Sequence, residues 1–296
     1  MGGRSFPYVQ VDVFSSRALE GNMLAVFPDA NGLSDEEMQA IARETNLSET
    51  TFVFPRGAAD EVRDGVKTRI FTVAEELPFA GHPTLGTAFV LHQRTKSDVV
   101  TLDLKVGKIP VNFHQDERGL AFGEMRQRDP EFGQAHEDRE AIARVAGLTV
   151  GDLYEDLPVQ TVSTGMAFAI VPVRTLKALR NMRFSWAAAS EYLARTDAKF
   201  FYFVTTETVE PTSTLNARMI FYNGEDPATG SAGGCCAAWA VQHCVVGSDE
   251  RAVIEQGFEM KRASRIHFRA TKDGATVTNV RVGGHCVQVS EATLHM

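Results

Sequence analysis

A chain of 296 residues is longer than one hydrophobic core usually serves, so two domains are expected. Its 44% apolar and 23% charged residues are ordinary for a globular protein, and a net charge of −8 with no basic cluster argues against nucleic acid or an anionic membrane as partner. No run of about 18 apolar residues occurs, and MGGRSFPYVQ has no signal-peptide pattern, so the expected location is cytoplasmic.

Residues 6–14 alternate and are β-branched, which predicts a strand. Gly21-Asn22 marks a turn before a second strand at 23–27. Ser34-Asp35-Glu36-Glu37 is a capping box, and Met38, Ile41, Ala42 and Thr45 share one face of the helix that follows and ends near Asn46. A short loop then feeds a strand from Thr50. Residues 60–65 read as a polar turn, 99–104, 109–113 and 120–124 as strands, and 126–134 as a polar linker. In the second half, two short strands flank Gly165, a helix covers 185–195, and a strand covers 200–204. Further strands lie near 252–255, 265–270, 275–281 and 286–289.

Two stretches stand apart from this pattern. RMIFYNGEDPATGSAGGCCAAWAVQHC, from Arg218, reads as strand, turn and a helix over 229–244 that is apolar on every side and therefore buried. Asn223, Gly224, Asp226 and Pro227 supply its turn chemistry. RIFTVAEELPFAGHPTLGTAFVLHQR, from Arg69, has the same order. The offset is constant (218 − 69 = 149): Arg69 matches Arg218, Glu76 matches Glu225, Pro78 matches Pro227, Gly81 matches Gly230 and Ala88 matches Ala237. An offset near half the length implies two related halves, each wrapped round one buried helix.

Helix starts rich in small residues leave unpaired N–H donors and a partial positive charge that suit a carboxylate or a developing oxyanion. If the halves face each other, both starts point into one cleft. Neither matches a P-loop or a GxGxxG motif, so no nucleotide cofactor is expected. The alternative is that the glycines only permit close packing. His82 falls at or just before the first helix start, with Pro83 suited to its first position. It is either a neutral proton-transfer group or a capping or surface residue. Asp226 and Glu225 either complement the helix charge or present a carboxylate to a ligand. Glu49 precedes an apolar strand and is either a solvated loop carboxylate, the reading that periodicity alone favours, or one that desolvation tunes for acid–base work; its counterpart near Lys199 is not an acid. Cys235, Cys236, Cys244 and Cys286 show no CxxC or Cys/His ligand spacing and read as small buried hydrophobes, so no metal is expected.

NLSETTFV (46–53), ELPFAGHPTLGTA (76–88) and EDPATGSA (225–232), with VDVFSSRALEGNMLAVF (11–27), resemble the blocks of the PhzF-like isomerase family in order and spacing. That resemblance implies an α+β, diaminopimelate-epimerase-like fold of two pseudo-symmetric barrel-like β domains, each around a central α-helix. Residues 1–126 plus about 284–296 would form one domain, with its helix near 82–95. Residues 127–283 would form the other, with its helix near 229–244. The resemblance places the family's catalytic Glu on Glu49, its assisting His and Asp on His82 and Asp226, and its ligand contacts on Gly81, Gly230 and Ser231; Ser48, beside Glu49, joins the substrate-binding set. It implies a cofactor-independent isomerase, a homodimer, acting on a small carboxylate-bearing molecule. Met23 and Val73 stand where the family often has Pro, and 221–224 replaces a longer turn; the last change touches substrate identity. Two other readings use the same cleft: a non-catalytic small-anion binder, and a two-cysteine racemase or epimerase. The second is disfavoured because neither helix start contains Cys.

Overall fold

The computed structural model describes residues 3–221 and 224–296. The chain divides into two compact units, Met1–Arg126 with Gly283–Met296, and Gln127–Val282. The first contains β1 (Ser5–Val13), β2 (Asn22–Phe27), α1 (Asp35–Thr45), β3 (Glu49–Phe54), α2 (Ala58–Asp64), β4 (Val66–Phe71), β5 (Glu76–Leu77), α3 (Gly81–Thr95), β6 (Val99–Leu104), β7 (Gly107–Gln115) and β8 (Ala121–Arg126). The second contains β9 (Glu131–Ala135), α4 (Arg139–Ala146), β10 (Gln160–Ser163), β11 (Ala167–Pro172), α5 (Leu176–Asn181), α6 (Trp186–Leu193), β12 (Phe200–Thr205), β13 (Leu215–Phe221), β14 (Gly224–Asp226), α7 (Gly230–Gln242), β15 (Ala252–Gln256) and β16 (Ser264–Asp273). β17 (Thr276–His295) begins in the second unit and ends in the first.

Both units use one pairing scheme. In the first, β17 pairs with β1 and β1 with β2, antiparallel; β2 with β3, parallel; β3 with β4, antiparallel. Then β4 pairs with β6, parallel, β6 with β7 and β7 with β8, antiparallel, and β8 returns to β17 to close the ring. In the second, β9–β10 and β10–β11 are antiparallel, β11–β12 parallel, β12–β13 antiparallel, β13–β15 parallel and β15–β16 antiparallel. Parallel neighbours need a crossover, and each parallel pair falls where a helix intervenes: α1 between β2 and β3, α3 between β4 and β6, α5 and α6 between β11 and β12, α7 between β13 and β15.

α3 is the core of the first unit. Its first ten residues, 81–90, are all buried, and it packs against β1, β2, β3, β6, β7 and β8. Burying Leu85 alone contributes about 1.5–3 kcal/mol. Gly86 is required by that packing: a Cβ there would stand 2.7 Å from both Leu24 Cδ2 and Val13 Cγ2. α7 fills the second unit against β10, β11 and β16. The halves also share an ion pair. Arg69 clasps Glu76 through Nε (2.8 Å) and Nη2 (2.7 Å), and Arg218 clasps Glu225 in the same way (2.7 and 2.8 Å).

α1 carries the expected capping box: Glu37 N–H donates to Ser34 Oγ (3.2 Å) and Ser34 N–H to Glu37 Oε2 (2.9 Å). Its end is Asn46, in the left-handed region at φ 50°. Several local expectations need correction. Residues 60–64 are not a turn but part of α2, which Gly65 caps; the helix has no buried residue and hence no apolar stripe to reveal it. The expected linker 126–134 contains the start of β9, an exposed strand held by β10. α4 and α5, capped by Asp138 and Thr175, were not anticipated. The last two expected strands are one, because Gly283-Gly284 continues β17 instead of turning. Gly224 and Asp226 lie in β14, not in a free turn, while Tyr222 and Asn223 fall outside the described residues. Pro83 is the third residue of α3, two positions later than expected. Cys244 is exposed, unlike the buried Cys235, Cys236 and Cys286.

Candidate active site

The parallel neighbours β2 and β3 deliver two polar side chains to the end of the first barrel where α3 begins. Glu49, the first residue of β3, pairs with Leu24 of β2. Its carboxylate is only 15% exposed, and Oε2 lies 3.3 Å from His82 Nε2. His82 is the second residue of α3 and is buried, which removes the capping and surface readings. Burial pushes its imidazole down to about 3, against a smaller upward pull from the Met23 backbone. The ring is therefore neutral at physiological pH, and the contact with Glu49 is not an ion pair. The other ring nitrogen, Nδ1, lies 3.2 Å from Nδ2 of the buried Asn22. With Asn22 as donor, Nδ1 accepts and the ring proton sits on Nε2; Nε2 and Glu49 Oε2 are in contact but make no aligned hydrogen bond in this structure. Gly81 opens the helix beside them, and Ser48 is exposed just before β3. The N–H groups of Gly81 and His82 precede the first helical bond, Thr84 N–H to Ala80 C=O (3.2 Å); Pro83 contributes no donor.

The second unit presents a different set. Asp226 is buried at the end of β14, and Thr229 Oγ1 donates to its Oδ2 (2.5 Å). Gly230 opens α7, and Ser231 follows, half-buried. The N–H groups of Gly230, Ser231 and Ala232 precede the first helical bond, Gly233 N–H to Thr229 C=O (2.9 Å). Gly233 and Gly234 serve packing: a Cβ on Gly233 would stand 3.0 Å from Ile266 Cγ2, and one on Gly234 1.9 Å from Gln127 Oε1. Gln127 is tied to this turn, donating to Gly230 C=O (3.0 Å) while accepting from Thr164 Oγ1 (2.6 Å).

The sequence reading missed Asn22, Thr229 and Gln256. Asn22 reads as turn punctuation after Gly21. Gln256 extends an apolar strand, and a buried amide in such a strand is the signal that was available. The counterpart of Glu49, expected near Lys199 and not an acid, is located by strand register. Phe52 pairs with Arg69 as Phe203 pairs with Arg218, so register sets Phe200, not Lys199, opposite Glu49. Burial pushes the Cys235 thiol up to about 11 and the Cys236 thiol higher still, opposite to what a thiolate base needs. Among the described residues no cluster of three His, Cys, Asp or Glu side chains could hold a metal ion. A surface groove lined by Pro7, Tyr8, Pro28 and Arg94 contains none of the site residues.

Comparison with known proteins agrees with this architecture. The family model described as phenazine biosynthesis-like protein matches residues 11–292. An uncharacterized isomerase of Mesorhizobium japonicum is 37% identical over 97% of this chain and 98% of its own length. The trans-2,3-dihydro-3-hydroxyanthranilate isomerase of Pseudomonas aeruginosa is 31% identical over 98% of this chain and 99% of its own. A Bacillus anthracis phenazine biosynthesis protein of the PhzF family superposes with a TM-score of 0.87 at 27% identity, covering 98% of this chain and 99% of that one. A hydroxyproline epimerase from Agrobacterium vitis shares the fold at 10% identity, with a TM-score of 0.64 and coverage of 99% and 93%. The chain belongs to the PhzF family of phenazine biosynthesis-like proteins, has the α+β fold expected of it, and is an isomerase.

Proposed function

We propose that this isomerase moves one proton along a small carboxylate-bearing molecule without a cofactor, with Glu49 as the proton carrier. The observation that carries this reading is the contact between Glu49 and the buried, neutral His82 at the start of α3. The Glu49 carboxylate takes a proton from a substrate carbon. The C–H bond breaks, and its electron pair moves into the conjugated system. The same carboxyl then returns the proton to a second carbon, so the net change is a shifted double bond. His82, held by Asn22, sets its Nε2 within 3.3 Å of Glu49 and steers the carboxylate as it gains and loses the proton. Asp226 orients an amine or hydroxyl of the substrate. The N–H groups at Gly81, Gly230 and Ser231, with the Ser231 and Ser48 hydroxyls, bind the carboxylate and developing negative charge. No second carboxylate answers Glu49 in the other half, where Phe200 stands, which favours one proton carrier over a two-base racemase.

The named activity of the Pseudomonas aeruginosa relative makes trans-2,3-dihydro-3-hydroxyanthranilate the first compound to assay. Incubation with that compound and a panel of unsaturated carboxylic acids in D₂O tests the reading. A proton-shifting isomerase introduces deuterium at the carbon that receives the proton. A protein that binds a panel member and leaves it unlabelled is a binder, and the proposal fails.

A further inference from the structure

We propose that Thr229 and Gln256 are positioning residues for Asp226, a pair that locks one carboxylate oxygen as acceptor of a single, directed hydroxyl proton. This inference rests on reading Asp226 as part of the substrate-handling set. Two backbone groups fix the polarity of the whole chain of bonds. Thr229 N–H can only donate, so the Gln256 atom 3.3 Å from it is Oε1. Asp226 C=O can only accept, so the atom 2.8 Å from it is Nε2. The Gln256 amide therefore has one orientation. Tyr202 O–H donates to the same Oε1 (2.9 Å), and burial keeps that phenol protonated. The second Nε2 proton goes to Thr229 Oγ1 (2.9 Å). All four hydrogen-bonding positions of the amide are filled. The Thr229 hydroxyl, already accepting from Gln256, has its own proton left for Asp226 Oδ2, 2.5 Å away. That length is typical of a hydroxyl donating to a carboxylate. Gly257 continues the cradle at φ +79°; a Cβ there would stand 2.4 Å from Arg262 O and 2.6 Å from Pro227 O.

The other half supplies an internal control. The 149-residue offset sets Leu77 opposite Asp226 and Ala80 opposite Thr229. Val66 pairs with Leu102 as Leu215 pairs with Ile254, so Leu104 answers Gln256. Strand register puts Thr51 opposite Tyr202. Where the acid is replaced by leucine, the supporting amide is leucine as well. The first barrel closes around buried Leu104, so the fold does not demand a polar group at this place. A buried amide is costly unless fully bonded, and its presence at 256 beside Asp226, where the matching position beside Leu77 is leucine, points to a role in directing that carboxylate.

Two measurements test the pair. With trans-2,3-dihydro-3-hydroxyanthranilate as substrate, Thr229→Val lowers kcat by about tenfold or more while KM stays within about twofold, and Thr229→Ser restores most of the loss. A Thr229→Val enzyme with wild-type kcat, or a Thr229→Ser enzyme no faster than it, overturns the inference. If the wild-type enzyme does not turn this compound over, that substrate assignment has failed, and proton exchange decides for the pair instead. The Thr229 hydroxyl proton, followed by NMR, exchanges at least about tenfold faster in Gln256→Met than in wild type while the amides of α7 keep their protection. Should Gln256→Met not fold, Tyr202→Phe removes one of the four bonds and moves the rate the same way. Unchanged exchange overturns the inference.

Discussion

The two central helices start alike and differ in what stands against their first turns. α3 opens with Gly81-His82-Pro83 and faces Glu49; α7 opens with Gly230-Ser231-Ala232 behind Asp226. Strand register puts Phe200 where Glu49 would be, Met166 where Asn22 would be, and the repeat offset puts Leu77 where Asp226 would be. Each half keeps one of these acids and replaces the other with an apolar residue. The Arg–Glu clasp, by contrast, is retained in both. The scaffold is repeated and the chemistry is not, so the two helix starts are equivalent as dipoles and unequal as acids and bases.

The retained clasp gives the largest stability difference between the halves. Glu76 has a second cation, Lys105 Nζ at 2.6 Å, whereas Glu225 has none among the described residues. Removing the arginine therefore strands Glu225 more severely. Arg218→Met is expected to cost about 3 kcal/mol and Arg69→Met about 1–2, read from denaturant midpoints. Equal losses would mean that Lys105 does not compensate Glu76.

The next effect isolates His82, which has Ser231 as its counterpart. Its folded-state value lies near 3 against 6.5 for the free group. Between those values the unfolded chain binds the proton and the folded chain does not, so stability rises with pH across that window. The contribution is complete above the unfolded value and is lost as the pH falls towards the folded one. His82→Gln should flatten the slope of unfolding free energy by up to ~1.4 kcal/mol per pH unit, relative to wild type. An unchanged slope would show that His82 is solvated in the folded protein.

The smallest effect belongs to Ser231, whose hydroxyl takes no partner among the described residues. Ser231→Ala should weaken binding of any substrate by about 1 kcal/mol, roughly fivefold in Kd, because neighbouring N–H groups stay in place. Titration calorimetry with a turned-over compound measures it, and unaltered affinity would remove Ser231 from the binding set.

The repeat was legible in the sequence because Arg69, Glu76, Gly81 and Ala88 recur without gaps, and the structure places the first two pairs in matching clasps. The buried helices were legible because neither has a charged face. α2 was not, since a surface helix of this length carries no apolar stripe, and β9 was not, since it is held by an edge partner and not by burial. Within the site, Glu49, His82 and Asp226 came from motif blocks. Asn22 and Gln256 escaped because their roles depend on pairing between residues 60 and 30 positions apart, which no local pattern encodes.

The inequality of the two halves is tested most directly by Glu49→Gln. The amide keeps the shape and can still hydrogen-bond, but it cannot carry a proton away and return it. With a compound that wild-type enzyme labels in D₂O, the variant should bind with unchanged affinity and lose about 10²–10⁴-fold or more in the rate of deuterium incorporation. A Glu49→Gln enzyme that keeps more than about a tenth of the wild-type rate would contradict the account and move the proton carrier to His82 or Asp226.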